Sequence, residues 1–189
     1  FGLYMLQQLQ YSMEGEELEA ELARLNPSLA SLEAYKKLAD RAEILKKTAV
    51  GQKFIDIKLA DKDGKEIALS DIVAKNKYVL LDFWASWCGP CMRELPYLVP
   101  AYNKFNKKGF EIYGVSLDQT KDPWVKAIED NKMDWVHVSD LKYWQSAGAA
   151  LYGVNSIPAN YLIDSEGTII AKSLRGEAVA QKLEVLLGK

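Results

Sequence analysis

The first 47 residues carry apolar positions at helical spacing almost throughout. Leu18, Leu22 and Leu25 recur at intervals of three and four, and a second stripe of the same kind follows Asn26-Pro27. This periodicity predicts two amphipathic helices. We expect Asn26 to cap the second helix and Pro27 to open it, because a proline lacks only an N–H that the first helical turn leaves unpaired anyway.

Two helices joined by a tight turn cannot cover both of their apolar stripes. The stripes need a further surface, which the rest of the chain, a second copy of the chain or an upstream domain could supply. We therefore treat residues 1–48 as a helical segment that can be the tail of an upstream domain, and 49–189 as a separate domain. Self-association through residues 1–47 is one expected consequence.

From residue 50 the pattern changes to alternation and short apolar runs, which are typical of strands. Runs at 54–59 and 65–69 flank Asp61-Lys-Asp-Gly64 and predict a hairpin in which the glycine supplies a positive φ. The near-continuous apolar runs at 78–84 and 110–117 predict central strands that are covered on both faces.

Helical spacing follows the first central strand from Cys91 to about Lys107. Pro96 and Pro100 lie inside this segment, and each removes a helical hydrogen bond, so we expect the helix to kink or split. The remaining pattern predicts helices at about 122–131, 143–151 and 177–187, a strand at 135–138, and a hairpin from 160–163 to 168–171. Strands that alternate with helices in this way predict an α/β domain with a mixed sheet and helices on both faces.

The composition is that of an ordinary globular chain and narrows the functional classes. Hydrophobic residues make up 49% of the 189 residues and charged residues 26%, which excludes disordered, collagen-like and rod-like chains. The 24 basic residues are interleaved with 26 acidic ones, so no nucleic acid is expected as a partner. No apolar run approaches the roughly 18 residues of a membrane span.

The two cysteines, Cys88 and Cys91, lie together in a Cys-Gly-Pro-Cys sequence. They follow the predicted 78–84 strand and enter a helix, at the sheet edge where open α/β sheets place their reactive groups. At a helix start, unpaired N–H groups and the helix dipole stabilise a thiolate on Cys88, and the spacing brings Cys91 within disulfide reach. The pair is therefore expected to act as a reversible dithiol switch.

Two structural interpretations of the cysteines were weighed against this one. A structural zinc site needs about four ligands, whereas the chain offers two cysteines and a single histidine, His137. A purely structural disulfide that closes so small a loop would add little stability. A redox function is the better interpretation of a Cys-x-x-Cys in a strand–helix context.

The run Val79-Leu-Leu-Asp-Phe-Trp-Ala-Ser-Trp-Cys-Gly-Pro-Cys91, with Pro96 and Ser156-Ile-Pro158 further on, resembles thioredoxin-fold oxidoreductases. The resemblance covers about residues 50–189. The N-terminal hairpin, Cys91-Met-Arg-Glu94-Leu-Pro96 and the extra elements between about 118 and 150 are similar to the TlpA/ResA-like branch of bacterial extracytoplasmic thiol:disulfide oxidoreductases. The resemblance implies a thioredoxin-like mixed central sheet with flanking helices behind an N-terminal β-hairpin.

The resemblance also implies roles for four residues. Cys88 matches the attacking cysteine, Cys91 the resolving one, Asp82 the buried carboxylate that exchanges a proton with the resolving thiol, and Glu94 an acidic residue near the dithiol. Burial in an apolar strand should raise the pKa of Asp82, which suits a base that works near neutrality. Asp82 could instead face solvent on an edge strand, and Glu94 could simply favour the helix dipole.

The expected substrate-binding surface includes Pro158, which matches the cis-proline that faces the dithiol in this fold. The resemblance implies that Ile157 offers backbone hydrogen bonds to the substrate chain, and that Trp87, Gly89 and Pro90 border the site. Without it, the Ile157–Pro158 bond would be expected to be trans, since only about 5–6% of such bonds are cis. The Gly-Pro pair between the cysteines matches that of reducing thioredoxins.

The implied function is the reduction of protein disulfides through thiol–disulfide exchange. No bound cofactor is expected beyond the redox-active disulfide of Cys88 and Cys91. The resemblance further implies an extracytoplasmic setting, a membrane-bound electron donor and a place in cytochrome c maturation.

Three other functions remain open at this point. A copper-delivery protein could bind Cu(I) through the two cysteines with Met92 or His137 as a third ligand. A thiol peroxidase would want a threonine three residues before the nucleophile, where this chain has Ala85. A non-catalytic binding module would use residues 1–47 as its working surface.

Overall fold

A computed structural model of the protein describes residues 2–188, which form eight α-helices and seven strands. The helices are α1 (Gly2–Leu9), α2 (Gly15–Ala23), α3 (Glu33–Lys47), α4 (Leu69–Val73), α5 (Gly89–Phe105), α6 (Lys121–Asp130), α7 (Ala147–Leu151) and α8 (Ala178–Leu187). The strands are β1 (Lys58–Ala60), β2 (Glu66–Ala68), β3 (Tyr78–Trp84), β4 (Phe110–Ser116), β5 (Val136–Val138), β6 (Ala159–Asp164) and β7 (Ile169–Lys172).

Five of the strands form one mixed sheet in the order β5-β4-β3-β6-β7. Strand β4 runs parallel to both β3 and β5, and β6 runs antiparallel to both β3 and β7. Strands β1 and β2 form a separate antiparallel hairpin, whose Ala60 carbonyl accepts a 2.9 Å hydrogen bond from the Ser139 N–H just after β5. The predicted mixed sheet, with helices around it and an N-terminal hairpin, is confirmed.

Strand β3 is the centre of the core, and its sequence explains why. Every residue of β3 after Tyr78 is buried, and Leu80, Leu81 and Phe83 are fully inaccessible. A strand paired on both sides and covered on both faces needs such a continuous apolar run. Burying each large side chain is worth about 1.5–3 kcal/mol, so this strand fixes the position of whatever follows it.

Helix α5 follows β3 and is continuous, so the split that was predicted as one of two alternatives does not occur. It begins at Gly89 rather than Cys91 and contains both Pro96 and Pro100. The prolines lie four residues apart, and both are exposed on one face of the helix, away from its buried side chains. The prediction of a split was wrong because it did not take into account which face the prolines occupy.

The N-terminal segment has three α-helices rather than the predicted two. Asn26 does accept a 3.0 Å hydrogen bond from Ser28, with Pro27 in the first turn, but these residues open a 3-10 turn over Pro27–Ser31. The backbone is extended at Leu32, and α3 begins only at Glu33. The apolar spacing located the helical segment correctly, but it detected neither the 3-10 turn Gln10–Ser12, which separates α1 from α2, nor the break before Glu33.

The three N-terminal helices enclose a small apolar core of their own. Its buried side chains are Leu6, Leu18, Leu22, Leu38 and Ala42. The helices α2 and α3 approach closely at Gly15, where a Cβ atom would lie only 2.6 Å from the Ala42 carbonyl oxygen. This core is separate from the cluster around β3.

Helix α3 also packs against the rest of the chain. The Arg41 guanidinium donates a 2.8 Å hydrogen bond to the Gly153 carbonyl, and Thr48 is buried just after the helix. Lys172 of β7 pairs with Glu14 before α2. The sheet domain thus covers part of the second apolar stripe, whereas Tyr4 and Leu9 of α1 remain exposed.

Smaller differences from the sequence predictions lie in the short elements. Strand β1 covers Lys58–Ala60 and so shares only residues 58 and 59 with the predicted 54–59 run. The helix predicted over 143–151 is a 3-10 turn followed by α7, which Ser146 caps. Among the described helices, none combines the length and the apolar character needed to cross a bilayer.

Candidate active site

Cys88 and Cys91 form a disulfide at the start of α5, with 5.2 Å between their Cα atoms. Cys88 is the N-cap residue of the helix, and its sulfur accepts a 3.2 Å hydrogen bond from the Cys91 N–H. Both cysteines are buried. The pair predicted from the sequence is thus present in its oxidised form, at the carboxyl end of the central strand.

The first turn of α5 provides the electrostatic environment expected around Cys88. The N–H of Cys91 already points at the Cys88 sulfur, and the positive end of the dipole of a 17-residue helix lies at the same place. Both effects favour negative charge on that sulfur once the disulfide is opened. Cys91 lies inside the helix turn and lacks this advantage.

The residues before β6 complete the other side of the dithiol. The Ile157–Pro158 peptide bond is cis, as the resemblance implies. The Ile157 carbonyl oxygen lies 3.7 Å from the Cys88 sulfur. The Ile157 backbone therefore lies directly beside the Cys88 sulfur.

Asp82 is buried in β3 and lies between two neighbouring strands, with Gly114 of β4 and Asn160 of β6 as its partners in register. It is therefore not on the solvent face of an edge strand. Burial raises the pKa of Asp82 to about 7; the positive charge of Arg175 opposes this rise, and the negative charge of Glu94 adds to it. Such a carboxyl group exchanges its proton near neutral pH.

A small cavity of about 10 Å³ lies next to Asp82, which is close to the space one water molecule occupies. Its lining residues are Asp82, Trp84, Cys91, Met92, Glu94, Leu95, Leu98, Met133, Pro158 and Asn160. The predicted resolving cysteine and both predicted carboxylates thus border one space. A single water there could connect them.

Glu94 is anchored by a loop that the sequence analysis did not connect with the site. The Gly176 N–H, after β7, donates a 2.7 Å hydrogen bond to a carboxylate oxygen of Glu94. In the same loop the Arg175 guanidinium donates to the Pro158 carbonyl. The position of the Glu94 side chain is therefore fixed by the 173–176 loop as well as by helix α5.

Asn160 holds that loop in place and was also missed. Its amide nitrogen donates to the Leu174 carbonyl at 2.8 Å, and its amide oxygen accepts from the Leu174 N–H at 2.9 Å. A buried amide in the otherwise apolar 160–163 strand is the signal that could have indicated it.

Asp118 is a third residue that the sequence analysis missed. Its buried carboxylate accepts from the Ser86 N–H at 3.1 Å and from the hydroxyl groups of Ser86 and Ser116. It thereby ties the end of β4 to the loop that carries Trp87 and Cys88. Its place just after a buried strand, beside the strand that leads to the cysteines, was the available signal.

The remaining predicted surface residues, Trp87, Gly89 and Pro90, are exposed beside the disulfide. His137 is buried in β5, where burial lowers its pKa to about 4 and its Nε2 lies 2.9 Å from the Met133 carbonyl oxygen. Within residues 2–188, no group of three or more His, Cys, Asp or Glu side chains is arranged to hold a metal ion.

The mixed sheet with this dithiol at the start of α5 defines the class of thioredoxin-like thiol–disulfide oxidoreductases, and comparisons with known proteins agree. The sequence profile of the AhpC/TSA family matches residues 50–172. The thiol-disulfide oxidoreductase ResA of Bacillus thuringiensis subsp. konkukian is 35% identical over 148 residues, which are 76% of this chain and 79% of that protein. The chain therefore belongs to the AhpC/TSA family, and its similar curated relatives are thiol-disulfide oxidoreductases.

Two solved structures extend the comparison. The thioredoxin domain of a thiol-disulfide oxidoreductase from Bacteroides vulgatus is 40% identical, with a TM-score of 0.67 over 74% of this chain and 98% of its own. A thioredoxin-like protein from Bacteroides caccae is 21% identical and shares the fold, with a TM-score of 0.73 over 90% of this chain and 60% of its own. The second match covers more residues than 50–189 contain, so it includes part of the N-terminal helices.

Proposed function

We propose that this thiol–disulfide oxidoreductase works as a reductase of protein disulfides, with Cys88 as the attacking and Cys91 as the resolving cysteine. The observation that carries the proposal is the place of the Cys88 sulfur, at the first turn of α5 and 3.7 Å from the Ile157 carbonyl oxygen. This sulfur has the thiolate-stabilising helix end on one side and a backbone that can guide a substrate chain on the other.

The reaction begins with the reduced dithiol. The Cys88 thiolate attacks one sulfur of the substrate disulfide, the substrate S–S bond breaks, and the second substrate sulfur leaves as a thiolate that takes up a proton. The Cys91 thiolate then attacks the Cys88 sulfur and releases the first substrate sulfur. Two electrons have passed to the substrate, and the enzyme is left with the Cys88–Cys91 disulfide.

The second step needs Cys91 to lose its proton, and we assign Asp82 as the base. The cavity of about 10 Å³ borders both groups and has room for one water that can relay the proton. A carboxyl group whose pKa is about 7 is partly ionised near neutrality and so can accept the proton there. Glu94, on the same cavity, is assigned a supporting part, since its charge raises the pKa of Asp82.

Substrate binding is assigned to the surface around the disulfide. An extended substrate segment runs along the Ile157 backbone, next to Pro158, and Trp87, Gly89 and Pro90 form the opposite edge. The exposure of these last three residues beside the buried disulfide supports this assignment. Main-chain contacts of this kind bind many sequences, which suits an enzyme that reduces disulfides in different protein substrates.

The direction, the setting and the electron donor are proposed from the resemblance. The Gly89-Pro90 pair matches reducing thioredoxins, and the similarity to the extracytoplasmic TlpA/ResA-like branch supports a place outside the cytoplasm. Reducing equivalents there have to come from a membrane-bound donor. A role in cytochrome c maturation rests on the same resemblance.

The proposal is tested by the standard potential of the Cys88–Cys91 couple together with insulin reduction. We expect a potential of about −200 mV or lower, and catalysis of insulin reduction by dithiothreitol that is lost in Cys88→Ser. A potential near about −120 mV would indicate an oxidant instead, and a protein that reduces no disulfide would contradict the proposed function outright.

A further inference from the structure

Three aromatic rings lie together on the surface next to Cys88: those of Trp87, Tyr143 and Trp144. The ring centroids are 5.3 Å apart for Trp87 and Tyr143, 6.1 Å for Trp87 and Trp144, and 5.9 Å for Tyr143 and Trp144. Trp87 is 47% exposed and Trp144 is 38% exposed. We call these three residues the aromatic patch.

The loop that carries Tyr143 and Trp144 has an unusual backbone. Leu141 and Tyr143 both have a φ of 56°, a left-handed conformation that bulky side chains rarely adopt. Tertiary contacts have to stabilise this conformation, because it is intrinsically unfavourable for residues with a large side chain. It brings two large aromatic side chains against Trp87, although Trp144 is exposed and Tyr143 is only half-buried.

Hydrogen bonds at both ends of the loop supply that constraint. The Asp140 carboxylate accepts from the Ala147 N–H at 2.8 Å and from the Lys142 N–H at 3.2 Å. The Ser139 hydroxyl accepts from the Leu141 N–H at 3.0 Å and donates to a β4 carbonyl group at 2.9 Å. The patch is therefore preorganised, so a ligand that binds it has little loop ordering left to do.

The Trp87 side of the patch is fixed as well. Asp118 accepts two hydrogen bonds from Ser86, the residue before Trp87. Between Trp87, Tyr143 and the 118–123 segment lies an open groove of about 530 Å³. Trp87 belongs to both the patch and the lining of this groove, and the next residue in the chain is Cys88.

We propose that the aromatic patch binds a large apolar or aromatic side chain close to the target cysteine of a polypeptide substrate. The inference rests on the proposed function and deepens it, because it gives the enzyme a preference among disulfides. Tilted and edge-on rings present both faces and edges to such a side chain, and fixed aromatic residues are typical centres of binding energy. Lys142, beside the patch, disfavours a cationic side chain there.

The test compares two synthetic peptide disulfides that differ in a single position beside the cysteine, Leu in one and Ser in the other. For the wild-type protein we expect kcat/KM to be about tenfold higher for the Leu peptide. In Trp144→Ala this ratio should fall to about two or less, and in Trp144→Phe it should return most of the way. Tyr4→Ala, which removes an exposed aromatic ring from α1, should keep the wild-type ratio.

The outcomes separate this inference from the proposed function. A wild-type protein that reduces both peptides equally well, or a Trp144→Ala variant that keeps the wild-type ratio, overturns the role of the patch. A third peptide with Lys at the varied position tests the chemistry of the partner, and a preference for it over Leu would also overturn the inference. Failure of the wild-type protein to reduce even 2-hydroxyethyl disulfide contradicts the proposed function instead.

Discussion

Asp82 lies directly opposite Asn160 across the antiparallel β3–β6 pair, and the two side chains have different partners. The Asn160 side-chain amide donates one hydrogen bond to the Leu174 backbone and accepts another from it, whereas no hydrogen bond from any residue of 2–188 reaches the Asp82 carboxylate. Asp82 faces the small cavity instead. Asn160 thus holds the loop after β7 in place, while the Asp82 carboxylate borders the cavity that Cys91 also lines, which supports its proposed role as the base.

Replacing Asp82 with Asn should slow the resolving step and leave the first attack nearly unchanged. The amide cannot accept the proton of Cys91, so mixed disulfides should persist and turnover at pH 7 should fall by about 10²-fold, the lower end of what a general base contributes. Rapid-quench kinetics with separate detection of the mixed disulfide measures both steps. If Asp82→Asn and its double variant with Glu94→Gln both reduce insulin at the wild-type rate across pH 6–8, solvent serves Cys91 instead.

The same substitution should stabilise the protein at high pH. The pKa of Asp82 rises from its usual 3.8 to about 7 in the folded protein, so the folded state holds this proton more tightly than the unfolded state. Stability from this group is present below pH 4 and is lost as the pH rises to 7. Oxidised Asp82→Asn should therefore exceed the wild type by about 2–4 kcal/mol at pH 8 in urea unfolding. If Asp82→Asn is no more stable than the wild type at pH 8, burial of the ionised Asp82 carboxylate does not destabilise the folded protein.

The charges of Arg175 and Glu94 should move the pH profile of the resolving step in opposite directions. Arg175 lowers the pKa of Asp82 and Glu94 raises it, so Arg175→Gln should shift the profile to higher pH and Glu94→Gln to lower pH. Because Arg175 is exposed, its effect should shrink in about 1 M salt. Arg24→Gln, an equal loss of charge in the N-terminal segment, is the matched control. Shifts of the same sign in the two variants would be incompatible with this account.

We expect residues 50–189 to fold and to keep their dithiol activity without the N-terminal helices. The helices have a separate apolar core, and their visible ties to the sheet domain include the Arg41–Gly153 hydrogen bond and the Lys172–Glu14 pair. We also expect the full chain to self-associate, because Tyr4 and Leu9 of α1 are exposed apolar residues that a second copy could cover. Circular dichroism, insulin reduction and sedimentation of both chains measure this, and an insoluble 50–189 chain would mean that the helices belong to one common core.

The sequence was sufficient to predict those elements whose apolar pattern is compatible with a single type of secondary structure. Strands β3 and β4 were predicted within one residue, because a continuous apolar run of strand length is typical of a strand covered on both faces and its ends mark the ends of the strand. The start of α3 at Glu33 and the continuity of α5 were not predicted. Leu32 and the two prolines are each compatible with more than one backbone conformation. The pattern gives the spacing of side chains but not which face of a helix reaches water.

The candidate site divides in a similar way. The spacing of Cys88 and Cys91 was enough to pair them, and the resemblance to thioredoxin-fold oxidoreductases placed Asp82, Glu94 and Pro158 at the same site. Asn160 and Arg175 reach the site from β6 and from the loop after β7, and that approach depends on the antiparallel pairing of β6 with β3 and β7. No local pattern encodes such a meeting, which is why the structure was needed to find it.

The most direct test of the account is to trap the mixed disulfide with each cysteine replaced in turn. Reduced Cys91→Ser is mixed with a peptide disulfide, and the adduct is located by mass spectrometry. We predict a stable peptide adduct on Cys88, and in Cys88→Ser little or no adduct on Cys91 at pH 7, because only Cys88 lies at the helix end that stabilises a thiolate. Faster adduct formation on Cys91 than on Cys88 would reverse the assigned roles and contradict the account.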